Sequence, residues 1–170
     1  MIADKTRSID FATISLRDAL DLAALVEQEA RERYGELADQ MDAHHNPDAA
    51  KFFRFMARVE GIHEEKLATR RRSLYGDAPR VVRREMIFDV EAPDYDEARA
   101  DMSVRHALDA ALRSEQKAHA FFEAALREVK DPEAVVLFVE LRDEEVEHQR
   151  LVEQQIALLA PDAVIAGDLW

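Results

Sequence analysis

Two Glu-x-x-His motifs are the residues of this chain best suited to chemistry. Glu60 precedes His63 by three positions, and Glu145 precedes His148 by the same distance. Residues three apart on a helix are neighbours on one face, so each motif can direct a carboxylate and an imidazole at the same point. Oxygen and nitrogen ligands of this kind suit iron, manganese or zinc. The motifs therefore indicate a metal site, provided that two helices hold them at the same level.

Four helical patterns can position these motifs. In each pattern, apolar residues recur in alternating steps of three and four, which is typical of the seam of a bundle helix. Each seam is interrupted near its middle by acidic residues or histidines. The interruptions are Glu27 in the first seam, Glu60 with His63 in the second, Glu115 in the third, and Glu145 with His148 in the fourth. If consecutive helices are antiparallel, the interruptions fall at one level of the bundle.

Capping residues and prolines indicate where the helices begin and end. The predicted helices cover about 15–45, 47–75, 104–130 and 132–160, and a connection covers about 76–103. Ser15 and Ser103 can act as N-caps, while Asn46-Pro47 and Asp131-Pro132 combine a cap with a proline at the first helical position. Gly76 is a natural helix end. The long connection fits a crossover along a bundle. Since 170 residues suit a single domain, we expect one all-α domain over 1–170.

Four glutamates in an apolar interior cannot all remain ionised without compensation. Desolvation and mutual repulsion would raise their pKa values and cost several kcal/mol. Two divalent cations would balance the four negative charges, and neutral imidazoles would complete the ligand shell. A single buried Glu or His is more simply explained as a hydrogen-bonded core residue. Six such groups at matched depths favour the metal site instead.

The composition argues against several other classes of protein and binding site. Apolar residues make up 48% of the chain and charged residues 35%, with only four Gly and five Pro, which favours helices. The net charge of −13 argues against nucleic acid or an anionic membrane as the main partner. Without a long apolar run or a signal peptide, we expect a soluble, cytoplasmic protein. The absence of Cys excludes disulfides, iron–sulfur clusters and thiolate-bound iron or zinc.

This arrangement resembles the ferritin-like di-iron carboxylate proteins, in which two helices each supply one Glu and two others each supply Glu-x-x-His. The local sequence is most similar to the rubrerythrin family. Glu27 is followed seven residues later by Tyr34, and the run from His63 to Leu67 resembles that family's second-helix ending. The resemblance covers roughly 16–159 and implies a ferritin-like four-helix bundle. It also implies a set of ligands for two irons: Glu27, Glu60, His63, Glu115, Glu145 and His148, with Glu60 and Glu145 bridging and Glu27 and Glu115 terminal.

Two departures from the family pattern affect the predicted chemistry. The family usually has a further carboxylate three residues after the third-helix Glu, where this chain has Ala118. This weakens the case for a peroxidase whose iron changes ligand. His119 is a candidate substitute ligand, although a place at the edge of the seam, outside the ligand set, is the simpler interpretation. The rubredoxin-like domain is excluded by the lack of Cys, so electrons must come from another protein or from Fe(II) itself.

The resemblance implies a non-haem di-iron oxidoreductase that reacts Fe(II) with hydrogen peroxide or O2, as a peroxidase or a ferroxidase. Mn or Zn can also occupy such a site. We expect a homodimer rather than a ferritin cage, because the chain after Pro161 is too short for a substantial fifth helix. Two alternatives remain open: an iron donor, sensor or storage module without redox turnover, and a metal-free helical interaction bundle.

Several other residues carry weaker predictions. Tyr34 is expected either to pack in the core or to act near the metals, through a hydrogen bond to a ligand carboxylate or as a one-electron donor. Residues 1–14 are expected to pack loosely. Two groups are expected at the surface. They are the glutamates beside the seams (Glu29, Glu64, Glu144 and Glu147) and the histidines at helix ends (His44, His45 and His106).

Two further surfaces leave alternatives open. The arginines at 70–72, 80, 83 and 84 are expected to pair with nearby acids, with a docking patch for an acidic redox partner as the alternative. The apolar row of Phe52, Phe55, Val59 and Ile62 can face either a neighbouring helix or another subunit. The patch Met86-Ile87-Phe88 should pack against the bundle.

Overall fold

Four long helices form the protein, as the seams predicted. The computed structural model describes residues 9–87, 90–91 and 102–159, and within them it contains no strand. The helices are α1 (Leu16–Ala43), α2 (Pro47–Tyr75), α3 (Val104–Leu126) and α4 (Pro132–Leu158), and a short 3₁₀-helix covers Arg84–Met86. The all-α, four-helix prediction is confirmed. No described helix is both long and apolar enough to cross a membrane.

Side-chain caps define the helix starts. Ser15 accepts a hydrogen bond from the backbone N–H of Asp18, and Ser103 and Asp131 cap α3 and α4 in the same way. Gly76 ends α2 with a φ of 54°, a conformation that costs glycine little. α3 ends before the predicted residue 130, because the N–H groups of Arg127 and Glu128 bond to carbonyls only three residues back. This tighter turn stops the helix.

The helices of each half are antiparallel. α1 packs mainly against α2, and α3 mainly against α4. Between α1 and α2, ion pairs connect the end of one helix to the beginning of the other, and between α3 and α4 an ion pair connects the end of α3 to the first half of α4. These pairs are Asp42–Arg54 and Asp21–Arg71 between α1 and α2, and Glu123–Arg142 between α3 and α4.

α2 and α4 are also antiparallel. Lys66 pairs with Glu144 at 2.9 Å, and Arg70, further along α2, pairs with the earlier residue Glu140 at 2.8 Å. Since α4 is antiparallel to both α2 and α3, α2 and α3 run in the same direction. The connection between them must therefore return along the bundle, over about 43 Å for a helix the length of α2. This is the predicted crossover.

The apolar core is divided into two clusters. The first cluster lies around the start of α1 and the end of α3, and includes Leu20, Phe122 and Phe138. The second lies around the end of α1 and the start of α2, and includes Tyr34 and Phe53. Burying each large side chain contributes about 1.5–3 kcal/mol. The level between the clusters contains the buried acidic residues.

The segment before α1 packs on the first cluster. The ring of Phe11 lies edge-on to Phe121 at 5.8 Å and to Phe138 at 6.1 Å, and Ile14 is buried. The prediction that this segment packs loosely is therefore wrong for residues 9–14, while residues 1–8 lie outside the described residues. Isolated apolar side chains without helical spacing cover the end of the bundle here.

The crossover packs against both clusters. Val82 and Ile87 are buried in the first cluster and Met102 in the second, where the side chain of Asn46 donates to the Met102 carbonyl at 2.5 Å. Ile87 confirms that the Met86-Ile87 patch packs inward, while Phe88 falls outside the described residues. The crossover thus passes the level between the clusters.

Most of the arginine cluster is paired with acids. The pairs are Arg70 with Glu140, Arg71 and Arg80 with Asp21, and Arg84 with Glu32. Arg71 is itself buried and also donates to the carbonyls of Gly76 and Ala78. These contacts agree with the prediction that the arginines pair with nearby acids, and they tie the start of the crossover to α1.

The second apolar row of α2 divides into two parts. Phe52 and Phe55 are partly buried against the second cluster, so this part faces the chain's own core. Ile62, by contrast, is 66% exposed. Only the outer end of the row therefore remains available for another subunit.

Candidate metal centre

All six predicted ligand residues meet in the layer between the two apolar clusters. Glu27, Glu60, Glu115 and Glu145 are at most 1% exposed, and His148 is 3% exposed. His63 is only partly buried, with 20% of its side chain exposed. Each residue comes from the middle of its helix. Ala23, Ala30 and Tyr34 lie on the same face of α1 as Glu27 and are buried, so these neighbours hold Glu27 inside the bundle.

Among the residues that the structure describes, three groups of ligand atoms are close enough to hold a cation. The groups are Glu60, Glu91, Glu115 and His148; Glu27, Glu91 and Glu145; and Glu27, His63 and Glu144. Within each group, one ligand atom from every residue lies within 4.8 Å of the others. The layer therefore offers more than one position for a cation, surrounded by carboxylate oxygens and imidazole nitrogens.

The two histidines meet across the layer. His148 Nδ1 lies 3.1 Å from Glu115 Oε2, and its Nε2 lies 3.3 Å from His63 Nε2. The two rings are nearly perpendicular, with centroids 4.8 Å apart. His63 Nδ1 is 3.2 Å from Glu144 Oε2. Glu144 thus orients the ring of His63, in the way that outer carboxylates orient metal-binding histidines.

Many carboxylate oxygens in the layer lack a donor. Both oxygens of Glu60, Glu91 and Glu145 are buried, and no N–H or hydroxyl group of the described residues donates to them. Leaving such groups unsatisfied costs at least about 1–3 kcal/mol each. A cation is the ligand that would satisfy several carboxylates at once. The residues present therefore fit a metal.

Electrostatics leads to the same requirement. Burial raises the pKa of Glu60, Glu91 and Glu145 well above the ordinary value, and neighbouring carboxylates add to this effect. Burial opposes the charged form of His148, but the hydrogen bond and charge of Glu115 outweigh it and raise the pKa to about 9. The layer therefore disfavours the ionised form of these carboxylates unless a cation balances their charge.

Tyr34 holds one of the predicted ligands. Its hydroxyl donates to Glu115 Oε1 at 2.7 Å and lies 3.2 Å from Ser114 Oγ, and its ring stacks on Phe53. Burial, with the charge of Glu115, raises the pKa of Tyr34 well above 10, so the hydroxyl stays protonated and remains a donor. Tyr34 therefore both packs in the core and bonds to a ligand carboxylate, leaving Glu115 Oε2 to face His148.

Sequence analysis missed two acidic residues of the layer. Glu91 is 1% exposed and reaches the layer from the crossover, where no periodic pattern could have indicated it. Glu144 was expected at the surface, but it is only partly exposed and bonds to His63 and Lys66. Burial alone would raise its pKa, yet these two partners lower it to about 2. A contact of this kind between helices cannot be read from one seam.

The remaining predictions had mixed outcomes. Among the glutamates beside the seams, Glu29 is buried and Glu64 pairs with Arg31 at 2.5 Å, so the surface prediction is wrong for both, while Glu147 is exposed as predicted. His119 is partly buried and joins none of the candidate groups within the described residues. The histidines at helix ends, His44, His45 and His106, are exposed as predicted.

Together, the bundle, the crossover and the buried layer of Glu and His define a ferritin-like protein with a candidate metal centre. The rubrerythrin family model matches residues 18–155. The chain belongs to the rubrerythrin family. Among solved structures, it is similar to an uncharacterized conserved protein from Magnetospirillum magnetotacticum MS-1, at 31% identity and a TM-score of 0.65, over 89% of this chain and 99% of that chain. No protein of curated function matches.

Proposed function

We propose that this protein is a non-haem di-iron oxidoreductase that reacts Fe(II) with hydrogen peroxide or O2, as a peroxidase or a ferroxidase. The observation that supports it is the set of buried carboxylate oxygens without a donor in one layer. Glutamates left unsatisfied in this way would destabilise the bundle unless cations bound there.

The six predicted residues would hold two irons. By the family pattern, Glu27, Glu60, Glu115 and Glu145 would supply carboxylate oxygens to the ions, and His63 and His148 would be neutral nitrogen donors. When bound, iron supplies the electron transfer that the side chains themselves cannot perform. Mn or Zn would fit the same donors, so the metal found in purified protein need not be the native one.

The surrounding residues would support this chemistry. The carboxylates supply negative charge that favours Fe(III), and Tyr34 fixes the position of Glu115 through its hydrogen bond. The apolar clusters on both sides keep water away from the layer, which strengthens the electrostatic interactions within it. Glu144 holds the ring of His63 and would keep its other nitrogen directed at the layer.

Electrons would come from a separate donor protein or from Fe(II) itself, because the chain contains no Cys for an internal iron–sulfur or rubredoxin-type centre. We also propose that the protein acts in the cytoplasm as a homodimer. Exposed Ile62, next to the partly buried apolar row of α2, supports an interface on this face.

The test begins with elemental analysis of freshly purified protein and anaerobic loading with Fe(II). We expect two irons per chain. The loaded protein is then mixed with hydrogen peroxide or O2, with and without an electron donor, and the consumption of each oxidant is measured. Sustained peroxide consumption with a donor indicates a peroxidase, and Fe(II) oxidation by O2 alone indicates a ferroxidase.

Two outcomes would contradict the proposal. A loaded protein inert towards both oxidants would favour an iron donor, sensor or storage module. A protein that binds no metal would favour the metal-free helical bundle. Gel filtration tests the assembly separately, since a very large particle would contradict the homodimer.

A further inference from the structure

Glu91 is the buried acidic residue that the helical bundle does not supply. It belongs to the crossover, and it is 1% exposed although neither it nor the preceding Val90 lies in a helix or strand. Neither of its carboxylate oxygens receives a donor from the described residues. A surface loop would normally leave such a side chain in water. Its burial therefore needs a specific partner within the layer.

The neighbours of Glu91 identify what kind of partner this is. Glu91 joins one candidate group with Glu60, Glu115 and His148, and a second group with Glu27 and Glu145. Both groups are formed otherwise by residues from the helices. A carboxylate shared by two groups, with two unsatisfied oxygens, lies where it can contact either of two cations or both. Other carboxylates cannot stabilise it there, because all of them are acceptors when ionised.

The crossover backbone holds Glu91 in this place. Val90 and Ile87 are buried against the first apolar cluster, so the segment is anchored immediately before Glu91. Arg71 anchors the start of the crossover through the carbonyls of Gly76 and Ala78. The carboxylate is therefore held inward by the packing of Ile87 and Val90, which precede it.

We propose that Glu91 is a fifth carboxylate ligand of the metal centre, supplied by the crossover. This inference rests on the proposed metal binding, and it adds a ligand that no helix motif provides. Five carboxylates carry one negative charge more than two divalent ions balance, which favours a higher oxidation state of one ion.

The position of Glu91 also links metal binding to the crossover. An ion that binds Glu91 together with Glu60 or Glu145 bridges the crossover to α2 or α4. Since ligands stabilise the state that binds them, the loaded ions would hold this segment against the bundle. Metal loading is therefore expected to protect the crossover from proteolysis at the exposed residue Arg83.

The test compares Glu91→Gln with Glu85→Gln, a matched control at an exposed position of the same crossover. Binding is measured by anaerobic titration with Fe(II), and the coordination by the visible spectrum of the Co(II)-loaded protein. We expect Glu91→Gln to weaken binding at least tenfold, since even outer-shell partners are worth about 10–100-fold. The Co(II) spectrum should change, and metal should no longer protect Arg83 from trypsin. Glu85→Gln should match the wild type in all three measurements.

Thermal unfolding of the metal-free proteins separates a ligand from a structural residue. As a ligand, Glu91 repels its neighbours in the absence of metal, so metal-free Glu91→Gln should unfold at the wild-type temperature or above it. A lower unfolding temperature would assign Glu91 a structural role and overturn the inference. Unchanged affinity and spectrum in Glu91→Gln, with two ions in the wild type, would overturn it and leave the proposed function standing. A wild type that binds no metal would overturn both.

Discussion

Glu60 illustrates, at the scale of one residue, that the buried layer is unfavourable for the free energy of folding. It is fully buried, and its pKa is raised first by burial and then by the charges of Glu91 and Glu115. Both of its oxygens lack a donor from the described residues. Glu60 is therefore unfavourable for folding in the absence of metal and, on our proposal, indispensable for binding it.

We predict that Glu60→Leu loses bound metal and stabilises the metal-free protein. Replacing buried charged groups by apolar ones of similar volume commonly stabilises by about 1–4 kcal/mol, which corresponds to a rise in Tm of roughly 2–16 °C for a chain of this size. Elemental analysis and calorimetry of the metal-free protein check the two parts. Glu147→Leu, at an exposed position of α4, is the control that should keep its metal. Full metal content in Glu60→Leu would contradict the assignment.

Tyr34→Phe is expected to lower both stability and metal affinity. The change leaves Glu115 Oε1 buried without its donor, at a cost of about 1–3 kcal/mol. It also frees the Glu115 carboxylate to rotate, so Fe(II) affinity should fall by about 10–100-fold while saturation still reaches the wild-type stoichiometry. Thermal unfolding and Fe(II) titration measure these effects. The control is Tyr75→Phe, at the partly buried end of α2, which should change neither property. An unaltered Fe(II) affinity in Tyr34→Phe would mean that Tyr34 has a packing role alone.

At the scale of the elements, one buried ion pair connects α1, α2 and the crossover. Asp21 is fully buried, and Arg71 donates to it at 2.9 Å while also bonding two carbonyls just beyond the end of α2. Such a pair contributes little net stability compared with apolar residues of the same size, but removing one partner leaves a buried charge. Its value here is to fix where the crossover begins.

Arg71→Met should destabilise the protein by about 3–5 kcal/mol, because Asp21 remains buried and keeps, among the described residues, only the more distant Arg80 as an ionic partner. The double variant Asp21→Leu with Arg71→Met should recover much of this loss. Thermal or denaturant unfolding of the wild type, Arg71→Met, Asp21→Leu and the double variant measures the coupling. Arg72→Met, at the exposed neighbouring position, serves as the control. Losses that simply add in the double variant would show that the pair is not coupled.

At the scale of the whole molecule, the layer separates two apolar clusters that each draw residues from all four helices. Without metal, the buried carboxylates of the layer disfavour packing of the four helices at this level. Ions bound there would connect residues from all four helices and, through Glu91, the crossover. Metal would then stabilise the bundle at its weakest level.

Metal loading is therefore expected to raise the Tm of the protein. A ligand at 100 times its Kd stabilises the folded state by about 2.7 kcal/mol, or several degrees for a chain of this size. Calorimetry with Fe(II) under anaerobic conditions, repeated after removal of the metal by a chelator, measures the difference. The same scan on Glu60→Leu should show no shift with Fe(II). A wild-type Tm indifferent to metal would count against a site in the folded bundle.

Ala118 of α3 bears on the role proposed for Glu91. The family pattern has a further carboxylate at this position of α3, and this chain has an alanine there, which is fully buried. The structure brings Glu91 to the same layer from the crossover. If Glu91 is a ligand as proposed, the crossover supplies a carboxylate in place of the one that α3 lacks at Ala118.

The sequence alone determined the helices, their caps and the level of the six predicted ligands. These features follow from a local rule, because the 3.6-residue period and the capping residues act over a few positions of the chain. Tertiary structure decided the rest: that Phe11 covers the first cluster, that Glu144 crosses from α4 to His63, and that Glu91 enters the layer. Each of these contacts joins residues distant in the chain, and Phe11, Glu144 and Glu91 themselves lie off the seams, so the contacts depend on how the helices pack and have no periodic signal.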